Sequence, residues 1–139
     1  MATLTIPVGT QPVVKSGPIP ATLTAGEALD MLIPVYKKSN DQKHYAGNSV
    51  ATTRETSQLV GVTVSVAELN SQVSVAAGKG TVVDFGVALT KGASYYLVGA
   101  GLIGLYSDIT VGHQVVRVGV ANEDQDLIID LFDYNEVKS

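Results

Sequence analysis

The residues of this chain that most resemble a chemical site form a glycine-rich run at 99–104, which reads Gly-Ala-Gly-Leu-Ile-Gly. The spacing matches the dinucleotide-binding fingerprint, and the acidic Glu123 and Asp124 follow about twenty residues later, as that fingerprint requires. In such sites the last glycine opens a helix whose N-terminus binds the pyrophosphate. Here the following residues have the pattern of strand and turn, so we predict a glycine-rich hairpin and no nucleotide site.

Two further runs have the composition of ligand sites without the required spacing. Residues 77–81, Ala-Gly-Lys-Gly-Thr, lack the full spacing of a phosphate-binding loop, so a lysine at a hairpin tip is predicted. Residues 122–126, Asn-Glu-Asp-Gln-Asp, place oxygen ligands at alternate positions. A calcium loop also needs a following glycine and a more distant glutamate, so we predict a solvated turn. The sequence gives no reason to expect a metal or a cofactor.

The sequence contains few signals of nucleophilic or acid–base catalysis. The two histidines, His44 and His113, stand beside predicted turns or strand ends and are expected at the surface or an interface. A Ser-His-Asp triad assembles in space and cannot be read from spacing, but no Gly-x-Ser-x-Gly run accompanies them. The chain has no cysteine, which excludes disulfides and thiolate catalysis. We therefore expect that this protein is not an enzyme.

The composition limits the classes of partner that we expect this chain to bind. The net charge is −4, the nine basic residues are scattered, and six of the thirteen acidic residues fall between Glu123 and Glu136. A protein that binds nucleic acid through phosphates normally carries a basic stripe, so neither nucleic acid nor an anionic membrane surface is an expected partner. The first residues lack the basic and apolar regions of a signal peptide, and no window reaches the ~18 apolar residues of a membrane span.

The elements that position these residues are predicted to be short strands. An aliphatic-Thr-x-Gly pattern occurs at residues 23–26, 89–92 and 109–112, each time ahead of a strand-like run. Glycine adopts positive φ without steric cost, so each copy predicts a turn that precedes a strand. Period-two runs, the last at 127–132, indicate about nine or ten strands and no long helix. The fold class is therefore all-β: a small, compact β-sandwich or β-barrel of short antiparallel strands with an extended N-terminal arm.

A second repetition accompanies these turns. The run Val-Gly-Val at residues 60–62 recurs at 118–120, and each copy follows a Leu-Thr-x-Gly turn. The intervening lengths differ by several residues, so an internal duplication stays a hypothesis at this point. The tyrosines Tyr36, Tyr95 and Tyr96 are expected in the core or on a sheet face, with a subunit contact as the alternative.

The N-terminus differs from the rest, which divides the chain into an arm, residues 1–22, and a β domain, residues 23–139. Four of the five prolines lie in the first twenty residues, yet the stretch is apolar, and residues 3–6 alternate like a short strand. Two interpretations stay open: the arm packs on its own domain, or it reaches a partner as an edge strand or extended clamp. The candidate contact residues are Thr3, Leu4, Thr5, Ile6, Val8, Val13, Val14 and Ile19.

Blocks of turn and strand follow one another over residues 23–132. They lie at residues 23–29, 33–37, 45–46, 59–62 and 83–97, and the series closes with Gly104, Asp108, Gly112 and residues 118–121. This series resembles the head decoration, or capsid cement, proteins of tailed phages. The arm does not match that family and is where capsid-specific contacts are expected.

The resemblance implies a structural virion protein without chemistry. Such a protein binds the outer surface of an icosahedral phage capsid and stabilises the shell by bridging capsomers. Its partners would be the major capsid protein and itself, as a homotrimer. It would be made in the host cytoplasm and located on the capsid exterior. Related β modules occur in phage tails and fibres, so the alternative is a tail or fibre module that binds a receptor or glycan.

Overall fold

The computed structural model describes residues 12–50 and 54–139. In this part the chain forms eleven strands and two single turns of 3-10 helix, Glu55–Ser57 and Tyr106–Asp108. None of these helical turns is long or apolar enough to cross a membrane. The strands are β1 Val13–Ser16, β2 Ala21–Thr24, β3 Pro34–Lys37, β4 His44–Ala46, β5 Leu59–Thr63, β6 Gln72–Ala76, β7 Val82–Asp84, β8 Ser94–Val98, β9 Leu102–Gly104, β10 Gln114–Ala121 and β11 Asp126–Val137.

The strands form two antiparallel sheets that enclose one main core. The six-stranded sheet has the order β1-β7-β11-β10-β8-β9, and the five-stranded sheet has the order β2-β6-β5-β3-β4. The core contains side chains from both sheets. Val62 of the smaller sheet packs in one cluster with Tyr95 and Leu127 of the larger sheet and with Phe85, which follows β7. The predicted all-β fold of short antiparallel strands is confirmed, and of the two architectures left open it is the sandwich.

One seam between the sheets is bridged by backbone hydrogen bonds. Residues 47–49 follow β4 at the edge of the smaller sheet, and residues 99–101 precede β9 at the edge of the larger sheet. The Ser49 N–H donates to Gly99 O at 3.0 Å, and the Gly101 N–H donates to Gly47 O at 2.7 Å. These bonds satisfy backbone groups that two free sheet edges would leave exposed. They also explain why one side of the sandwich is closed like a barrel.

The two sheets repeat one topology. Strands β2 to β6 lie in the order first-fifth-fourth-second-third, and strands β7 to β11 lie in the same order, with β1 added outside β7. In each set a single 3-10 turn precedes the fourth strand. An internal duplication predicts this arrangement, so the structure supports the hypothesis that the recurring Val-Gly-Val runs suggested.

Strand register repeats as well, around a glycine in each Val-Gly-Val run. Val35 pairs with Gly61, and the register to β5 then shifts so that the next residue, Tyr36, pairs with Leu59. In the other half Tyr95 pairs with Gly119, and Tyr96 pairs with Arg117 after the same shift. A Cβ on Gly61 would lie 2.4 Å from Ala76 O, and one on Gly119 would lie 2.2 Å from Ile128 O. Both bulges therefore bring neighbouring backbones closer than any side chain allows.

Two of the three aliphatic-Thr-x-Gly runs are the predicted turns. Gly92 and Gly112 have φ values of +84° and +91° and stand just ahead of β8 and β10. The Gly92 N–H donates to Ala121 O at the end of β10, and the Gly112 N–H donates to Lys138 O just after β11. The copy at residues 23–26 differs from the prediction. Its first two residues lie in β2, Ala25 bridges His44, and the chain bends at Gly26 and Glu27 without a positive φ at the glycine.

The predicted arm enters the described structure at Pro12. Its residues Val13–Ser16 form β1 and pair with β7, and Ala21–Thr24 begins the second sheet as β2. Val14 packs against the main core, and Lys15 Nζ contacts Asp126 Oδ2 at 2.8 Å. Residues 12–22 thus contribute an edge strand to each sheet, whereas residues 1–11 lie outside the described residues.

Substitution of the bulge glycines tests the repeated register. We expect Gly119→Ala to lower the free energy of unfolding by about 3 kcal/mol, because the added methyl group overlaps a carbonyl oxygen of β11. Gly112→Ala is the matched control, since its Cβ meets open space and only the left-handed backbone is penalised, by about 1 kcal/mol. Denaturant unfolding of both variants measures the difference. Equal losses would show that the close approach at Gly119 does not fix the register.

Candidate functional site

The glycine-rich run at residues 99–104 is a hairpin turn, as predicted. Gly99 and Gly101 have positive φ values of +59° and +70°, and Leu102–Gly104 is β9, which pairs with β8. A strand therefore follows where a dinucleotide site needs the N-terminus of a helix. The run's function is structural: it turns the chain and supplies the backbone groups that bridge the seam.

The other two ligand-like runs are also turns. Residues 77–81 carry the exposed Lys79, but they connect β6 of one sheet to β7 of the other, so the prediction of a hairpin tip is wrong. Residues 122–125 form the predicted turn between β10 and β11, whereas Asp126 is the first residue of β11 and is buried. Within residues 12–50 and 54–139, no group of three or more His, Cys, Asp or Glu side chains is placed to hold a metal ion.

The histidines are less exposed than predicted. His44 is buried, and its Nδ1 lies 3.2 Å from Thr24 O, so the expectation of a surface position is wrong for it. His113 is half-buried, and its Nδ1 lies 2.9 Å from Ser49 Oγ. A Ser–His contact is the geometry from which a nucleophile is made, so this pair is the strongest candidate for chemistry in the described residues.

The environment of Ser49 gives the pair a structural role. Its side chain is 0% exposed, and its Oγ accepts a hydrogen bond from the Gly99 N–H at 2.9 Å. Its carbonyl oxygen accepts the Gln114 N–H at 2.6 Å. A nucleophile must meet its substrate, and this hydroxyl is enclosed on all sides. Ser49 and His113 therefore join the two sheets at the bridged seam.

Four aromatic rings form a cluster on the outer side of the six-stranded sheet. We call this cluster the aromatic face; it consists of Tyr96, Tyr106, Phe132 and Tyr134. Ring centroids of neighbours lie 4.8 Å apart for Phe132–Tyr134, 6.4 Å for Tyr134–Tyr96 and 5.6 Å for Tyr96–Tyr106. Phe132 is 51% exposed and Tyr106 is 46% exposed. Half of the eight aromatic residues of the chain are thus gathered at one surface.

Strand alternation explains how these rings come to share a face. Tyr95 and Leu97 are buried, so Tyr96 between them points outward. Arg117 stands directly opposite Tyr96 on one side and directly opposite Phe132 on the other, so these three side chains form one row across β8, β10 and β11. Tyr134 follows Phe132 by two residues and lies beside it.

The cations near the aromatic face are held by specific partners. Arg117 has its Cζ 5.8 Å from the centroid of Phe132, and its Nη2 donates to Asp130 Oδ2 at 2.9 Å. Lys138 Nζ lies 4.9 Å from the centroid of Tyr106 and donates to Tyr106 O and Ile109 O. Each cation is therefore fixed against a ring, which favours cation–π attraction and keeps the rings in place.

The equivalent surface of the five-stranded sheet is closed. Tyr36 occupies the position of Tyr96 in the repeated register but is buried, and Tyr45 packs beside it with ring centroids 6.1 Å apart. The Tyr45 hydroxyl donates to Asp41 Oδ2, and this hydrogen bond raises the pKa of Tyr45 to about 12. The same bond lowers the pKa of Asp41. Of these two equivalent sheet surfaces in the described residues, the aromatic face is thus the one that presents exposed rings.

The predicted contact residues of the arm divide into two groups. Thr3, Leu4, Thr5, Ile6 and Val8 lie outside the described residues. Val13 on β1 is 55% exposed and Ile19 is 93% exposed, whereas Val14 is half-buried against the core. Contact with a shell stays a prediction for all eight.

No protein-family model and no curated protein matches this chain.

The sequence analysis missed the aromatic face. A signal was present, because Phe132 and Tyr134 have the i, i+2 spacing that places two side chains on one side of a strand. The predicted strand ended at residue 132, which separated the two rings. Tyr106 reaches the face through a 3-10 turn, and no periodicity in the sequence indicates that.

Replacement of Asp41 tests the closed surface. Asp41→Asn should return the pKa of Tyr45 from about 12 toward 10.0. The raised pKa makes Tyr45 stabilise the fold below its unfolded value of 10.0, and this contribution is lost as pH rises through about 12. Asp41, whose pKa is lowered from 3.8, stabilises the fold above that value and loses its contribution as pH falls. Phenolate absorbance during alkaline titration is the measurement, and Tyr45→Phe identifies the step. An unchanged step in Asp41→Asn would contradict the bond.

Removal of the seam hydroxyl tests its structural role. Ser49→Ala leaves the Gly99 N–H, which points at the fully buried Ser49 side chain, without its acceptor, and we expect a loss of about 1–3 kcal/mol in the free energy of unfolding. Ser57→Ala is the control, because Ser57 is equally buried but donates to Arg54 O, which also accepts the Ser57 N–H. Denaturant unfolding compares the two. A loss no larger than the control's would show that Ser49 does not hold the seam.

Proposed function

We propose that this chain is a structural virion protein that binds the outer surface of an icosahedral phage capsid and stabilises the shell by bridging capsomers. The observation that carries the proposal is the aromatic face, a fixed and exposed set of rings next to Arg117. Aromatic residues and arginine are enriched at protein interfaces relative to other surfaces. The resemblance over residues 23–132 supplies the identity of the partner, the major capsid protein.

The mechanism is thermodynamic and needs no reacting group. A protein that binds the assembled shell and not its separated subunits stabilises the shell by mass action, by about 2.7 kcal/mol at a concentration of 100 times Kd. Simultaneous contact with neighbouring capsomers adds avidity, because the second contact forms at a high effective concentration. Self-association as a homotrimer would multiply these contacts. In this proposal the protein is located on the capsid exterior.

A rigid body suits this task. The two sheets share one core, the seam is held by backbone bonds and by Ser49, and Lys138 and Arg117 fix two of the rings. A surface whose side chains are already ordered loses less conformational entropy on binding. The aromatic face therefore fits a protein that binds a repeating lattice many times in the same geometry.

The second candidate is a tail or fibre module that binds a receptor or glycan. The half-exposed rings of Phe132 and Tyr106 favour it, because aromatic rings also stack on the apolar faces of sugars. A clear hit on a glycan array, together with sedimentation at the position of tails, would transfer the proposal to this class.

Rate-zonal sedimentation of native source material tests the first candidate. We expect the chain to migrate with intact, capsid-sized particles in near-stoichiometric amount. Migration with tails, or as a free small oligomer at the top of the gradient, would overturn the capsid proposal.

Variants of the aromatic face then test the surface itself. The double variant Phe132→Ser/Tyr134→Ser should bind isolated particles at least about tenfold more weakly, because aromatic anchors carry a large part of interface energy. Val66→Ser/Leu69→Ser is the matched control, since both side chains are more than half exposed but lie between β5 and β6. Co-sedimentation titration gives both affinities. Equal affinities for the two double variants would show that the aromatic face is not the contact.

A further inference from the structure

The second half of β11 has an edge without a strand beside it in the described residues. On one side β11 pairs with β10 up to Val137, with register shifts between Ile129 and Phe132 and between Asp133 and Val137. On the other side β7 covers only Asp126 to Ile128, and the final contact is Ile129, which bonds to Gly80 and Thr81. Beyond Ile129 no described strand pairs with this side. An unpaired edge is a template for the strand of another chain.

The length of this edge is defined at both ends. It begins after Ile129, and it ends at Asn135, whose φ of +57° takes the backbone out of the extended form. The Asn135 N–H donates to Asp133 Oδ1 at 2.8 Å, which fixes this bend. The acceptor is therefore the five-residue segment from Asp130 to Tyr134. It includes Phe132 and Tyr134, so the free edge borders the aromatic face.

The chain itself contains a segment that matches this edge. Residues 3–6 alternate Thr-Leu-Thr-Ile, as a half-buried strand does, and Pro7 ends the run because proline has no N–H to donate. No charged side chain occurs before Lys15. The two carboxylates of the edge, Asp130 and Asp133, are already paired with Arg117 and Arg54, so the edge does not require a charged strand opposite it.

The direction of β1 decides which copy supplies the strand. Val13 pairs with Asp84, which also pairs with Asp126, so Val13 lies level with the start of β11. β1 and β11 are both antiparallel to β7 and so run the same way. The described chain therefore begins, at Pro12, near the start of β11 and at the end opposite to the segment 130–134, a geometry suited to contact with a neighbouring copy.

We propose that residues 2–6 of one copy add as a strand to the free edge of β11, residues 130–134, in a second copy. Leu4 and Ile6 then lie on the outer side, against Phe132 and Tyr134, while Thr3 and Thr5 face the other way. In each contact five residues pair through their backbones, and two apolar side chains contact the neighbouring copy. This inference deepens the self-association part of the proposed function, and its test uses no capsids, so either idea can fail without the other.

Disulfide trapping tests the contact directly, because the chain has no cysteine of its own. Two differently tagged copies are mixed, one with Leu4→Cys and the other with Phe132→Cys, and oxidised under mild conditions. We expect a disulfide-linked dimer of the two tags, since facing strand residues have the Cα separation of about 5.5 Å that a disulfide needs. Thr5→Cys mixed with Phe132→Cys is the matched control, because successive side chains point to opposite faces of a strand.

Three results would overturn the proposal. The first is no mixed dimer with Leu4→Cys. The second is an equal yield with Thr5→Cys, which indicates random collision. The third is a disulfide within one chain of the double variant Leu4→Cys/Phe132→Cys together with no mixed dimer, which places the arm on its own body.

The oligomeric state supplies a readout without cysteine. Light scattering after size exclusion should give a multiple of the chain mass for the full chain and the single-chain mass for a variant lacking residues 1–11. This deletion ends before β1, so circular dichroism should show the same β signal for both proteins. A monomeric full chain, or an oligomer that survives the deletion, would refute strand exchange.

Discussion

The fold depends on how closely two pairs of strand backbones approach. At Gly61 and at Gly119 the space of a side chain is taken by a carbonyl oxygen of the neighbouring strand. That contact allows an extra residue in β5 and in β10, and the extra residue sets which side chains face the core on either side of it. Val62 and Val118 enter the core because the register changes at these points. In each sheet the bulged strand is central, and the other strands pair with it directly or through neighbouring strands.

The same constraint determines what the surface presents. The shift in β10 places Arg117 opposite both Tyr96 and Phe132, and so creates the row that organises the aromatic face. In the other half the equivalent shift places Leu59 opposite Tyr36. The same register shift therefore lies beneath two different surfaces. Differences of side chain, rather than of topology, make one surface open and the other closed.

Much of the fold was predictable from the sequence because its strands alternate in the ordinary way. The strands from β3 to β10 were located by period-two runs, with ends that differ by a few residues. β1 and the first two residues of β2 fell within the predicted arm, since prolines beside a strand hide its pattern. β11 was predicted too short because its second half alternates acidic residues with aromatic ones. His44 is held by a backbone bridge to Ala25 and by contact of its Nδ1 with Thr24 O, and both contacts are distant in sequence. The aromatic face needs three separate elements in register, and spacing along one chain does not encode that.

The opposed arrangement of the two sheets has a consequence for peptides or domains attached to the protein. The outer sides of a sandwich point in opposite directions, so a molecule held by its aromatic face turns the surface of Tyr45 and Lys38 toward the solvent. On that surface Lys38 lies over the ring of Tyr45. The adjoining turn between β3 and β4 is held by hydrogen bonds within the turn, including one from the Gln42 N–H to Lys38 O. Peptides or small domains inserted in this turn would be displayed outward without touching the attached side. The repeated architecture thus gives one small chain two opposed surfaces, one with exposed rings and one closed by its own hydrogen bonds.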